Sequence, residues 1–425
     1  MNDLGERSQP SPARQLVTVR IPAGWTLVGL IAGLAAGWLV ARTGAAKPVL
    51  AFIGPLGALW LRALQVTIVP LVASLLVLGI SQMALAARAG AAARRMLAWV
   101  FLVLLLSGVI AALLTPLLLD VFPPPARAAA VLSANGAPQE VPGIGEFIQS
   151  LVAPNIVAAA AETAMLPVTL FFAAFALALV RLPGDQREQL LGLFRAIANT
   201  MLLIIGAVLW VAPVGVFALA MGVGAASGGA AFATLAHYIL TVVAVGSTLL
   251  IGGYLLAWLA GGISPLRFAR AVIPAQAVAL STQSSLASLP AMLVSARRIE
   301  LREETAEFVL PLAVAIFRAT SPAMNLAVAI YVAHLAGVTL TPLSLLAGVA
   351  VAFVISLGSV SLPGTISFVV SVGPIALAMG VPIGPLALLV AVEMMPDIMR
   401  TIGNVTMDTA LAAAVDRKRG ASLQP

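Results

Sequence analysis

Long apolar runs, each closed by a short polar or basic stretch, follow one another along almost the whole chain. A helix that crosses a bilayer needs about 20 consecutive apolar residues. On that measure the pattern predicts helices near 24–42, 49–86, 94–121, 163–181, 191–222, 229–260, 305–335 and 384–415. The breaks between them are plain. PPPARAAAVLSANGAPQEVPGIGE (123–146) is a loop rich in Pro, Gly and Ser, and RLPGDQREQ (181–189) is a charged turn.

Basic residues sort by side. Arg7, Arg14 and Arg20 precede the first span; Arg88, Arg94 and Arg95 follow the second, Arg181 and Arg187 the fourth, Arg267 and Arg270 the sixth; Arg417, Lys418 and Arg419 close the chain. The opposite loops carry only Arg42, Lys47 and Arg127. Eight spans with both termini cytoplasmic satisfy the excess of Lys and Arg expected on that side. Two apolar segments fall outside the count. Residues 271–296 have cytoplasmic basic flanks at both ends, so they enter and leave on one side, and their middle, STQSSLASLP, is polar. Residues 344–383 are broken at GSVSLPGTIS (358–367), and the parity of the spans puts their flanks outside. Non-helical backbone at membrane depth survives only where protein buries it or a cavity hydrates it. Two opposed, interrupted hairpins therefore point to a transporter's binding site; two kinked ordinary spans are the plainer alternative.

Composition agrees. Hydrophobic residues make up 61% of the 425 and charged residues 9%, with a mean hydropathy of +1.09, where soluble domains carry about 25% charged residues. The solvent must be lipid, and the fold class is all-α, polytopic and membrane-embedded. The 36 Gly and 28 Pro are better tolerated in membrane helices than in soluble ones. With no cysteine and two histidines, His237 and His334, thiolate and histidine-rich metal sites are excluded, and no metal or other cofactor is expected. Both histidines read as helix-packing or interfacial residues. The net charge of +7 follows the cytoplasmic loops, so no nucleic-acid partner is expected. The opening stretch has no apolar run followed by a small-residue cleavage site, so no removable signal peptide is expected. Arg outnumbers Lys 21 to two, which with the abundant Ala suggests a bacterial inner-membrane protein.

Charge inside a membrane is rare and usually functional. It clusters late in this chain: Arg318 in the seventh span, then Glu393, Asp397, Arg400 and Asp408 in the eighth. Arg62 reads as structural or lipid-facing, its guanidinium snorkelling to an interface. At about 100° per residue, Asp397, Arg400 and Asn404 share one helix face, bordered by Thr401 and Asp408. A guanidinium there could fork onto a carboxylate while Asp397 accepts an ammonium and Asn404 offers amide hydrogen bonds. That describes a receptor for a small zwitterion with an extra carboxylate. An internal Asp397–Arg400 ion pair holding the bundle together explains the same residues equally well. The first hairpin offers Ser281, Thr282, Gln283, Ser284, Ser285 and Ser288, and the half-helix after Ser288 could aim free N–H groups at a carboxylate. With no His nearby in sequence, a serine nucleophile lacks a base, and an enzyme is not expected.

From about residue 25 to 415 the chain resembles the dicarboxylate/amino acid:cation symporters, the glutamate and aspartate transporter family. FIGPLGALWLRALQVTIVPLVASLLVLGI (52–80) is similar to the family's second helix and APVGVFALA (212–220) to its fifth. STQSSLASLP and SLPGTIS match the two hairpin tips, and DIMRTIGNVTMD (397–408) is the most specific match. The resemblance implies eight transmembrane helices, two re-entrant hairpins and an elevator fold in a homotrimer. It divides the chain into a tail (1–20), scaffold helices (21–90), a transport-domain helix (91–122), a loop with further scaffold helices (123–222), a transport domain (223–416) with hairpins at about 271–296 and 344–383, and a second tail (417–425). It also implies that Arg400 binds the substrate's side-chain carboxylate and Asp397 its amino group. Asn404 and the backbone around Ser284 and Ser285 take the main-chain carboxylate, while Leu362, Pro363 and Gly364 close the lid. Having both Asp397 and Arg400 favours aspartate or glutamate as cargo.

The departure lies in the seventh helix. Aligned from FVLPL (308–312), Phe317, Arg318, Ala319, Thr320 and Ser321 stand where sodium-coupled members have Asn-Met-Asp-Gly-Thr. In the third helix Ser107 keeps one hydroxyl, while Leu106 replaces a second. Of the acidic sodium ligands only Asp408 remains. Arg318 is expected to occupy the space of a sodium ion and to pair with Asp408 or a nearby carbonyl, since an uncompensated arginine there is costly. Sodium coupling should be lost and protons should replace it, carried by Asp397, Glu393, Asp408 or the substrate itself. The alternatives are a C4-dicarboxylate symporter of the same fold, a sodium-coupled amino acid symporter with substitute ligands, and, more remotely, an anion channel lined by Arg318 and Arg400.

Overall fold

The computed structural model describes residues 17, 22–43, 46–125, 128, 149, 151–228, 230–358 and 364–416, and there is no strand among them. The first predicted span is α1 (Ala23–Arg42). The second divides into α2 (Ala46–Gln65) and α3 (Ile68–Ala86), separated by a turn at Val66–Thr67, with Pro70 just inside α3. The third is α4 (Ala91–Val121). A short α5 (Ile156–Ala161), whose Asn155 cap accepts from the Val157 and Ala158 N–H groups, leads into α6 (Met165–Leu179).

The run predicted as one span over 191–222 is two helices, α7 (Gly184–Trp210) and α8 (Ala212–Ser227). No polar residue marks the junction itself (Leu209–Val214), so the apolar run hides the break. Pro213 in the first turn of α8 cannot donate to the preceding turn, and the helix restarts there. Next comes α9 (Ala230–Leu259). The first hairpin is α10 (Pro265–Thr282) and α11 (Leu289–Arg298). The span at 305–335 is broken into α12 (Glu303–Ile316) and α13 (Ser321–Leu335). The second hairpin is α14 (Pro342–Gly358) and α15 (Gly364–Ala378), and the chain finishes with α16 (Leu386–Leu389) and α17 (Met394–Asp416).

Six stretches among the described residues are long and apolar enough to cross a membrane: 24–42, 46–86, 91–121, 184–210, 230–259 and 303–335. Of the two other spans predicted, α6 has only 15 residues, and α17 has the length but carries Asp397, Arg400, Asp408 and Asp416. A helix so charged cannot face lipid. It is buried instead, from Asn404 to Asp416 without an exposed residue.

Packing explains that burial. α9, α10 and α12 lie along α17, and α4 lies along α13. α14 packs on both α15 and α3. Elsewhere α1 runs against α8, and α2 leans on α8. The α1–α8 contact is backbone on backbone. Gly29, Gly33 and Gly37 recur every fourth residue, and a Cβ on any of them would strike the main chain of Pro213, Phe217 or Met221. Small residues at this spacing let membrane helices gain dispersion contact that bulkier side chains forbid. Trp60 of α2 closes the same corner, donating its indole N–H to Val208 O at 2.9 Å.

Gly33→Val should therefore push α1 off α8 and cost about 1–3 kcal/mol, the usual scale of overpacking. A thermal melt of the purified protein in detergent should show it as a clearly lowered Tm. Gly24→Ala, where an added Cβ meets nothing within 4 Å, should leave the melt unchanged.

Candidate functional site

The site is built where α17 crosses the break between α12 and α13. Pro322 sits in the first turn of α13 and has no N–H to offer the preceding turn, so the helix cannot run through. Residues 317–320 are non-helical, with Phe317 extended at φ −114° and ψ 106°. Unwound backbone at this depth must find partners in neighbouring side chains. Asn404 of α17 accepts from the Thr320 N–H at 3.0 Å and from its hydroxyl at 2.9 Å. Ser107 of α4 donates to Ala319 O at 2.7 Å and accepts from the Ala323 N–H at 3.1 Å. Gly403 admits the approach: a Cβ there would lie 2.6 Å from Thr320 Cγ2.

Along α17 the polar face is as the spacing predicts, and all of it is buried. Exposure is 6% at Asp397, 3% at Arg400, 5% at Thr401, 1% at Asn404 and 0% at Asp408. The Arg400 guanidinium is held from three elements. Nη1 donates to Asn325 Oδ1 of α13 at 2.7 Å, and Nη2 to Glu393 Oε1, just ahead of α17, at 2.5 Å. Nε lies 3.3 Å from Asp397 Oδ1 without a hydrogen bond. The structure thus contains the internal Asp397–Arg400 ion pair, with a tighter one to Glu393 beside it. Tyr238 of α9 donates to the other Glu393 oxygen at 3.5 Å.

Arg318 stands in the break, which the span predicted over 305–335 did not include. The expected pairing with Asp408 is not formed: no ion pair within 4.0 Å joins them, and Arg318 Nε and Nη2 and both Asp408 oxygens are buried without a hydrogen-bond partner. The unwound segment is satisfied by Asn404, which accepts from Thr320, and not by Arg318. Thr401 turns its hydroxyl back onto Asp397 O at 2.9 Å and so braces its own helix.

The first hairpin's tip is folded on itself. Gln283 adopts the left-handed conformation at φ 50°, which ends α10. The Ser284 N–H is accepted by Thr282 Oγ1 at 3.3 Å, and Ser288 Oγ donates to Ser284 O at 2.9 Å. Ser281 donates to Ala277 O at 3.0 Å. Ser285 Oγ is buried with no partner. None of these serines bonds to Asp397, Arg400 or Asn404 among the described residues. In the second hairpin's tip Leu362 and Pro363 lie outside the described residues, and Gly364 opens α15.

Asn325, Tyr238 and Gln276 join the site without having been singled out in the sequence. Gln276 ties α10 to α17, its amide donating to Thr406 Oγ1 at 2.9 Å and to Tyr254 Oη at 3.3 Å. The available signal for Asn325 was a lone amide inside an apolar span. Tyr238 and Gln276 carried none beyond being polar. His237 is a helix-packing residue: Nδ1 lies 3.1 Å from Tyr331 Oη and Nε2 2.9 Å from Phe122 O. Arg62 is exposed on α2. No group of three or more metal-ligating side chains occurs among the described residues.

The geometry describes a lipid-embedded helical protein that gathers opposed charges at a broken helix, and sequence comparison gives it a family. Residues 23–418 match the sequence profile of the Sodium:dicarboxylate symporter family; the chain belongs to that family, whose members are transporters and not enzymes. The chain is similar to the "Proton/glutamate-aspartate symporter" of Escherichia coli K12, 33% identical over 178 residues that span 39% of this chain and 40% of that protein. It is also similar to the "Proton/sodium-glutamate symport protein" of Bacillus subtilis 168, 25% identical over 403 residues, 92% of this chain and 91% of that one. A third relative is "C4-dicarboxylate transport protein 1" of Pseudomonas aeruginosa PAO1, 27% identical over 244 residues, 54% of this chain and 51% of that one.

Ser107 bridges two backbone groups of the break, so Ser107→Ala leaves both unsatisfied. The expected cost is about 1–3 kcal/mol, read as a lowered Tm in detergent. Ser247→Ala, which removes only a bond to Val243 O in its own helix, should change Tm far less.

Proposed function

We propose that the chain is a secondary active transporter for acidic amino acids, aspartate or glutamate, driven by protons and independent of sodium. Its setting is the bacterial inner membrane, with both termini cytoplasmic, and its assembly a homotrimer. The observation that carries this reading is the buried pairing of Arg400 with Asp397 on α17, beside a helix break in which Phe317 and Ala319 offer no side-chain oxygen. Arg400 spends one N–H each on Asn325 and Glu393, and a guanidinium has five. A substrate side-chain carboxylate can still be received there, with its ammonium on Asp397 and its main-chain carboxylate near Asn404 Nδ2, which is buried without a partner. A sodium ion needs a cage of oxygens, and here a fixed cation, Arg318, stands in the break instead.

The helices that pack around α17, namely α4, α9, α12 and α13 with both hairpins, make up the moving domain of this proposal. α1, α2, α3, α6, α7 and α8 form its static support, and α3 against α14 is the surface on which one slides past the other. The name of the Escherichia coli relative pairs protons with glutamate and aspartate, which favours this cargo and driving ion.

The test is uptake of labelled L-aspartate into proteoliposomes, under an inward proton gradient without sodium and then under a sodium gradient at symmetric pH. Accumulation is expected only in the first. Accumulation that needs sodium would overturn the coupling. Uptake of succinate with none of aspartate would make the cargo a C4-dicarboxylate, and ionic current without accumulation would make the protein a channel. Arg400→Gln should lower uptake at sub-saturating aspartate by at least ~30-fold, the scale of a lost buried charge pair. Arg318→Met should not create sodium dependence, because the side chains at 317 and 319 still lack oxygen.

A further inference from the structure

We infer that Glu393 is the proton-binding site that couples this transporter, giving up its hold on Arg400 when substrate arrives. The inference rests on the reading above for a carboxylate-bearing cargo and, in choosing Glu393 over Asp397, for the cargo's ammonium. Arg318 and Arg400 face three buried carboxylates, Glu393, Asp397 and Asp408. Two of these, Glu393 and Asp397, already crowd Arg400 at 2.5 and 3.3 Å. A substrate carboxylate would be the third anion around one guanidinium in a site closed to water. Uncompensated charge there is very costly, so one carboxylate must be neutralised as the cargo binds.

Geometry selects which one. Asp397 is the group left to receive the cargo's ammonium, and it does so as an anion. Glu393 is fully buried, lies ahead of the α17 face and makes the shortest contact to Arg400. Its second oxygen faces a neutral hydroxyl, Tyr238 Oη, which can accept from a protonated carboxyl as readily as it donates to an ionised one. The groups facing Glu393 are Arg400 and Asp397 from α17, Tyr238 from α9 and the neutral Asn325 from α13.

The step balances as follows. One proton from solution adds to Glu393 Oε2, the Glu393–Arg400 ion pair opens, and the substrate carboxylate pairs with Arg400 in its place. No other bond changes, and release reverses every part. Tyr238 packs edge-on to Tyr331 with ring centroids 5.4 Å apart. Tyr331 Oη lies 3.1 Å from His237 Nδ1, and His237 is only half-buried. These contacts hold the Tyr238 ring in place beside Glu393.

The experiment measures L-aspartate binding to the purified full-length protein against pH. If one proton is taken up with each ligand, Kd should rise about tenfold per pH unit. Glu393→Gln, which mimics the protonated carboxyl, should bind at every pH as the unaltered protein does at low pH, with the slope gone. A slope that survives in Glu393→Gln overturns the inference. If that variant does not yield folded protein, Tyr238→Phe should shift the pH range of the slope, and an unshifted profile overturns it equally. Should aspartate not bind, succinate is used: a slope lost in Glu393→Gln then supports the inference while refuting an amino acid as cargo. Binding of neither would refute both.

Discussion

A guanidinium closed off from water in the middle of a membrane protein can be neither deprotonated nor left alone. Arg400 sets that condition for the whole second half of the chain. It draws in an amide from α13, a carboxylate from the turn before α17 and another from α17 itself. Those partners must be carried to it by elements that are otherwise apolar, which is why a helix too charged to face lipid is surrounded by α9, α10 and α12. The break in the seventh span, enforced by Pro322, serves the same cluster. Breaking that helix brings Asn325 and the Phe317–Thr320 segment to the same level of α17, where Asn404 and Ser107 satisfy the freed backbone.

Stiffness is distributed unevenly by these contacts. Where α1 meets α8 the main chains touch and nothing larger than hydrogen fits at Gly29, Gly33 or Gly37. Around α17 the contacts are directional bonds between side chains, Gln276 to Thr406 and Thr320 to Asn404 among them. A close-packed glycine seam resists bending but offers no chemistry. A hydrogen-bonded cluster can exchange partners at modest cost, provided that each group finds another.

Much of this was legible in the residues. Apolar runs placed the spans, basic flanks exposed the first hairpin, and spacings of three and four put Asp397, Arg400 and Asn404 on one face. What escaped has a common physical cause. The α7–α8 division and the α12–α13 break lie inside runs with hydropathy to spare, where only Pro213 and Pro322 mark a restart. Asn325 and Tyr238 are single polar residues on helices other than α17, and no local pattern tells which distant charge they will meet. Arg318 was singled out as a charge within the seventh span, but its partner depends on side-chain direction, which spacing alone does not fix. Whether Arg400 would be met by an acid beyond Asp397 could not be read from its helix's polar face, because Glu393 lies a turn ahead of that face.

The register of α17 has a consequence for how such a protein can change over generations. Asp397, Arg400, Asn404 and Asp408 hang from one continuous stretch of helix, at spacings of three and four residues. A substitution at one of these positions leaves the helical register of the others in place. Gain or loss of a single codon between Asp397 and Asp408 would instead rotate every group beyond it out of alignment together. This segment is free to drift in spelling but not in length.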